Sequence, residues 1–275
     1  MSSKTGKAKL WVNPSNDRFN CWVCGFHGGS LAVLMVPGSN EIREYLESRP
    51  LAESVVGSSA SDEKPRCCTM PDGFTPFRLS GTISEAPYLS YLIKRGVTEQ
   101  AIMLYRLGYV ESGDIGGRVV VPSFDALGSI NFWSARTIWN DVRPTYKLPH
   151  ATKNIVSNEH MIDWTSPVYL VEGIFDEMAI GPQAVSLYGK FMQSLLAKRL
   201  VERRPPTVYV CLDTDARREA MGLMKKLVGY DISCAIVDLS AKDPGSMKQK
   251  DIQKDVDVAR HATGSAGLLF AGGRF

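Results

Sequence analysis

Apolar positions along the chain change their spacing several times, and each change predicts an element. Val168-Tyr-Leu-Val is an unbroken β-branched and aromatic run that ends at Glu172, and Val208-Tyr-Val-Cys-Leu ends at Asp213. Runs of this length predict buried strands whose last residues leave the sheet. A helical spacing follows each run. After the first it holds Glu177, Met178, Ala179 and Ile180; after the second it extends from Ala216 to Val228, apolar at Ala220, Leu223, Met224 and Leu227. Strand, acidic turn and helix, repeated, predict parallel βαβ units and an α/β fold. In such a sheet the carboxyl ends of the strands line the ligand crevice.

Upstream the pattern is different. Gly117 to Pro122 reads as a buried strand, Phe124 to Gly128 as a hairpin turn and Ser129 to Arg136 as the return strand. Ser84 to Gly96 and Thr98 to Gly108 read as two short helices, with Gly96 at a C-cap and Thr98 at an N-cap. Leu10 to Met35 predicts a hairpin with Cys21-x-x-Cys24 at a knuckle, then Gly28-Gly29 and a helix capped by Ser30. The small, polar stretch from Ser48 to Met70 reads as a linker. From Lys248 one last helix is expected, then a Gly-rich, frayed tail from Gly264. The implied division is an N-terminal unit over 1–48, a linker over 49–70, a mixed α+β region over 71–160, a parallel-sheet domain over 161–262 and a flexible tail over 263–275.

Composition narrows the setting more than the chemistry. A length of 275 residues suits about two compact domains. No apolar run approaches the roughly 20 residues of a membrane span. Ser2 to Lys9 lacks the apolar stretch of a secretory signal, and six cysteines without framework spacing predict reduced thiols in a cytoplasmic setting. The formal charge of +3 does not by itself identify a nucleic-acid partner, but acids gather after the strands while Lys and Arg cluster elsewhere. There is no Walker loop, no GxGxxG fingerprint and no Ser-His-Asp pattern.

Glu172, Asp176, Asp213 and Asp215 are expected at one sheet edge. Carboxylates this close repel unless a cation neutralises them, and hard oxygen ligands suit Mg2+ or Mn2+. The alternative is acids that cap turns of an ordinary α/β domain. Glu172-Gly173 with Asp176 one helical turn on, then Asp213-x-Asp215, resembles the Toprim domain of primases, topoisomerases and related nucleases. Val237 to Gly245, with Asp243 at its centre, looks like the third acidic motif that primases add. The resemblance implies Asp176, Asp213, Asp215 and Asp243 as metal ligands, and Glu172 as either ligand or general base.

Other segments are similar to bacterial and phage primases. Cys21 and Cys24 before Gly28-Gly29 resemble the second half of the primase zinc ribbon, which implies Zn2+. Such a site needs four ligands, and nothing upstream supplies the other two. Either the chain starts inside the motif or a partner completes it. His27 could serve as a third ligand, but its spacing suits a loop residue, and the vicinal Cys67 and Cys68 read as incidental. Tyr91 to Val97 followed by Leu107 to Tyr109 is similar to the helical entry into the polymerase core, and is assigned no chemistry. Arg118, Arg136 and Lys147 match its basic face, which implies contacts with template backbone and triphosphate. Lys190, after the turn residue Gly189, is a further candidate for phosphate, while Arg199, Arg203 and Arg204 read as a solvated face.

The resemblance thus implies a phage-type DNA primase that joins ribonucleotides on a single-stranded DNA template by divalent-metal-dependent nucleotidyl transfer. A replicative helicase and other replisome proteins are its implied partners, in a bacterial or phage-infected cytoplasm. A Toprim nuclease and a non-catalytic nucleic-acid-binding remnant are the rival readings.

Overall fold

A computed structural model describes residues 10–13, 18–21, 27–28, 68–79 and 82–270, with side chains described over 68–79 and 82–259. Strands β1 (Leu10–Asn13), β2 (Arg18–Cys21) and β3 (His27–Gly28) pair antiparallel in that order, with Leu10 opposite Cys21. Cys24, the helix expected after Ser30, most of the linker and the last five residues of the tail lie outside the described residues. So does the side chain of Cys21, and with it the expected zinc site.

The second sheet is antiparallel. It contains β4 (Thr75–Pro76), β5 (Gly108–Val110), β6 (Arg118–Phe124), β7 (Ile130–Thr137) and β8 (Tyr146–Lys147), in sequence order. Every residue of β6 is buried. The turn between β6 and β7 closes on Asp125, whose Oδ1 accepts the amides of Leu127 and Ser129 at 2.9 Å each. Gly128 follows at φ +79°, a conformation side chains disfavour. Helices α1 (Ala86–Lys94) and α2 (Glu99–Leu104) sit between β4 and β5 in the chain. Both caps are as expected: Gly96 takes φ +78° past α1, and the Thr98 hydroxyl accepts the Ala101 amide at 3.2 Å.

The third sheet is wholly parallel, in the order β10-β9-β11-β12, from β9 (Val168–Val171), β10 (Ala184–Ser186), β11 (Val208–Val210) and β12 (Cys234–Ile236). Alternate residues serve opposite faces. Val168, Leu170, Val208 and Val210 join a core with Leu196 and Leu200 of α4 (Ser194–Arg203) and Leu223 and Leu227 of α5 (Arg217–Gly229). Val171, Tyr209 and Ala235 join another with Ile252 and Val256 of α6 (Gln249–Phe270). Helix α6 runs through Gly264, where a frayed tail was expected.

Helix α3 (Ile174–Ile180), which follows β9, belongs to both halves. Its Ile174, Phe175 and Met178 share a core with Tyr88, Leu92, Tyr105, Val119 and Val121 of the antiparallel half, while Ala179 and Ile180 pack toward α6 and β12. Full burial of such a side chain contributes about 1.5–3 kcal/mol. The architecture is therefore mixed α/β with two principal sheets joined through α3. No helix among the described residues is long and apolar enough to cross a membrane.

Candidate metal centre

Parallel pairing of β9 with β11, Leu170 opposite Val210, brings their carboxyl ends together. Glu172 leaves β9 and turns its side chain across the gap, where Oε1 accepts the Asp213 amide at 3.3 Å. Asp213 precedes a single 3-10 turn (Thr214–Ala216) that carries Asp215 before α5 begins. One carboxylate oxygen from each of Glu172, Asp213 and Asp215 lies within 4.8 Å of the others.

The repulsion within the group is only partly relieved by Lys190. Burial, then the like charge of Asp213, pushes Glu172 up to about 7. Burial raises Asp213 as well, followed by the charges of Asp243 and Asp215. Asp213 Oδ1 is buried and has no hydrogen-bond partner. A buried acceptor without a donor costs about 1–3 kcal/mol. Three hard oxygen donors, one of them orphaned, fit a divalent cation such as Mg2+ or Mn2+.

Asp176 and Asp243, expected in the same ligand set, lie outside that group of three. Asp176 Oδ2 accepts the Gly173 amide at 3.0 Å and so caps the first turn of α3. Its Oδ1 accepts the Gly245 amide at 3.0 Å. Asp176 therefore ties the first acidic segment to the third, and burial raises its pKa to about 6. A Cβ at Gly245 would stand 2.9 Å from Asp176 Oδ1, so this clasp needs a glycine there. Asp243 flanks a 3-10 turn (Pro244–Ser246), and the Lys242 carbonyl accepts the Thr214 amide at 3.0 Å, which draws the third segment against the second.

The basic residues are already engaged. Arg118 is 3% exposed and donates to the carbonyls of Pro144 (2.8 Å) and Gly116 (3.2 Å). Arg136 donates from Nε to the Tyr91 hydroxyl at 2.5 Å and from Nη1 to the Tyr146 hydroxyl. Its guanidinium also lies 4.7 Å from the Tyr146 ring centroid and 5.7 Å from that of Phe175. Lys147 bonds both the carboxylate and the carbonyl of Asp114 at 2.6 Å. Lys190 sits on the acidic group itself, 3.4 Å from Asp215 and 3.9 Å from Glu172. Arg199, expected as solvated surface, instead pairs with the buried Glu159 at 2.7 Å and with Glu202 at 3.0 Å.

Three acids outside the expected site are buried, Glu85, Glu159 and Glu177, and the last lies closest to the acidic group in sequence. Glu177 on α3 is fully buried, and its carboxylate accepts Ser157 Oγ at 2.5 Å, Asn158 Nδ2 at 2.6 Å and the Ser186 amide at 2.9 Å. Burial pushes it up to about 7. Ser186 Oγ and the Gly189 amide in turn hold the Glu172 carbonyl at 3.4 and 3.1 Å. The signal was its place in the helical stripe, three residues after Ile174 and beside Met178, where an apolar residue belongs.

No family model and no curated protein matches the chain. Solved structures do. The catalytic domain of DnaG primase bound to single-stranded DNA superposes with a TM-score of 0.57 at 17% identity, over 66% of this chain and 73% of that one. The chain shares the fold of DnaG-type primase catalytic cores. A DNA primase domain from Pseudomonas aeruginosa gives 0.54 at 19% identity over 69% and 78% of the two chains. The zinc-binding and RNA polymerase domains of Aquifex aeolicus primase give 0.53 at 17%, over 91% and 75%. At the edge of this fold's parallel sheet, Glu172, Asp213 and Asp215 form a group that could hold a metal ion.

Proposed function

We propose that the chain is a DNA primase, joining ribonucleotides on a single-stranded DNA template. The observation that carries this reading is the placement of a cation on the acidic group: Lys190 lies 3.4 Å from Asp215 and 3.9 Å from Glu172. Phosphodiester cleavage has no use for a triphosphate site, whereas polymerisation needs one beside the metal.

Glu172, Asp213 and Asp215 would hold the divalent ion. That ion, when bound, lowers the pKa of the attacking 3′-hydroxyl and offsets charge on the leaving pyrophosphate. The chain's own residues position and screen. The 3′-oxygen forms a bond to the α-phosphorus while the bond from that phosphorus to pyrophosphate breaks, and the hydroxyl proton passes to solvent. Asp176 keeps the Gly245 segment closed against α3, and the Arg136 and Lys147 strands present the cationic side along which template phosphates run.

The test is primer synthesis with labelled ribonucleotides on single-stranded DNA, with and without Mn2+. Metal-dependent products longer than a dinucleotide support the proposal. Template shortening without synthesis assigns the same acids to a nuclease. Binding with neither product leaves a nucleic-acid-binding remnant.

A further inference from the structure

The ammonium of Lys190 lies within ion-pair distance of two of the three clustered carboxylates, at 3.4 Å from Asp215 and 3.9 Å from Glu172. Among the described residues no other Lys or Arg approaches either of them so closely. The backbone beneath it is fixed from two sides. The Gly189 amide donates to the Glu172 carbonyl at 3.1 Å, and Lys153 Nζ donates to the Tyr188 carbonyl at 2.8 Å. Gly189 itself adopts φ +148° over open space. The loop is anchored, then, while the Lys190 side chain keeps about a third of its surface in solvent. It can leave without the loop moving.

A divalent ion shared by Glu172 and Asp215 and the Lys190 ammonium would need the same lone pairs. Two cations cannot both take them at contact distance without strong mutual repulsion. We infer that Lys190 is a resident counter-cation of the acidic group: it spans Glu172 and Asp215 before metal binds, yields both to the incoming ion, and is then delivered to a phosphate oxygen of the nucleotide held there. The side chain's reach makes that delivery local, because a lysine displaced from Asp215 stays tethered beside the metal and finds there the anion that the metal attracts. The inference rests on the metal-dependent reading above. It adds that metal and lysine oppose each other in the free protein and act together once phosphate is present.

The experiment compares wild type with Lys190→Met and Lys190→Arg by Mn2+ titration followed by electron paramagnetic resonance. Binding of inorganic tripolyphosphate to the Mn2+-loaded proteins is then measured by calorimetry. Removing a partly exposed pair of contacts should tighten Mn2+ in Lys190→Met by about three- to tenfold. Loss of one charge-assisted contact should weaken tripolyphosphate by about tenfold. Lys190→Arg should lie near wild type in both, and metal-free melting curves check that each variant folds. Unchanged or weaker Mn2+ binding in Lys190→Met overturns the counter-cation role. Tighter Mn2+ with unchanged tripolyphosphate overturns delivery to phosphate. If wild type itself binds no Mn2+, the metal centre of the proposed function fails, a different result from either.

Discussion

Each cation on the antiparallel sheet has protein partners in hand: backbone carbonyls for Arg118, tyrosine hydroxyls for Arg136, Asp114 for Lys147. The clustered acids are matched only in part, by Lys190 at 3.4 Å from Asp215 and 3.9 Å from Glu172. Asp213 keeps a buried oxygen with no donor, and Glu172 is raised to about 7 by burial and a like charge. The fold nearly completes one set, leaving only buried Arg118 Nε without a partner, and leaves the other open to a further cation. The basic residues are thus held in place largely by the protein itself, while the charge of the acidic group exceeds what Lys190 alone offsets.

The largest effect should come from the open set. Asp213→Ala is expected to lower metal-dependent turnover about a thousandfold, with no loss of metal-free melting temperature, because a partnerless buried oxygen and a like charge both disappear. A fall in melting temperature would place Asp213 among the finished residues and erase the contrast.

Glu177 sharpens it, being a buried acid that is fully hydrogen-bonded. Its folded pKa of about 7 stands above the ordinary 4.5, so folding favours the protonated form. The stabilisation is complete below about pH 4.5 and is lost as pH rises through about 7, on the order of 3 kcal/mol in all. Glu177→Gln should remove that slope, and urea unfolding of both proteins at pH 5 and pH 8 measures it. Parallel losses in the two proteins would locate the titration elsewhere.

Arg118→Met should destabilise by about 2 kcal/mol, since the carbonyls of Pro144 and Gly116 lose their donor. Unchanged urea stability with weakened binding of single-stranded DNA would return Arg118 to the set that awaits a ligand. The smallest effect is expected from Asp114→Asn, which removes the charge that holds Lys147 but leaves the carbonyl contact. Affinity for single-stranded DNA should rise about threefold at low salt, with a salt slope steeper by up to about 1. A flat response would show that Lys147 faces no phosphate.

Much of this was legible before the fold was known. Val168 to Val171 and Val208 to Val210 are short β-branched runs that only a two-sided core accepts, and both became central parallel strands. Glu172, Asp213 and Asp215 follow directly from strand ends, so chain order alone brings them together. Asp176 was harder. A residue one turn into a helix points where the helix start directs it, and here Gly173 and Gly245 claim both its oxygens. Pro144 and Tyr91, which bind Arg118 and Arg136, come from 26 and 45 residues away, and no local pattern announces contacts of that range. Glu177 was overlooked because charge usually marks the solvent side of a helix, and only Ser157, Asn158 and Ser186, gathered from two other segments, make its burial tolerable.

Helix α3 also sets a limit on how this protein can be dissected. It follows the first acidic strand, yet Ile174, Phe175 and Met178 are lodged among Tyr88, Leu92 and Tyr105, some ninety to seventy positions earlier. A gene trimmed to the parallel sheet would carry every clustered carboxylate and still present three large apolar side chains to water, inviting aggregation of an otherwise complete metal site. The smallest working piece therefore begins upstream of Tyr88, and insertions or fusions belong at the outer turns, such as the one after Asp125, rather than at the junction of the two sheets.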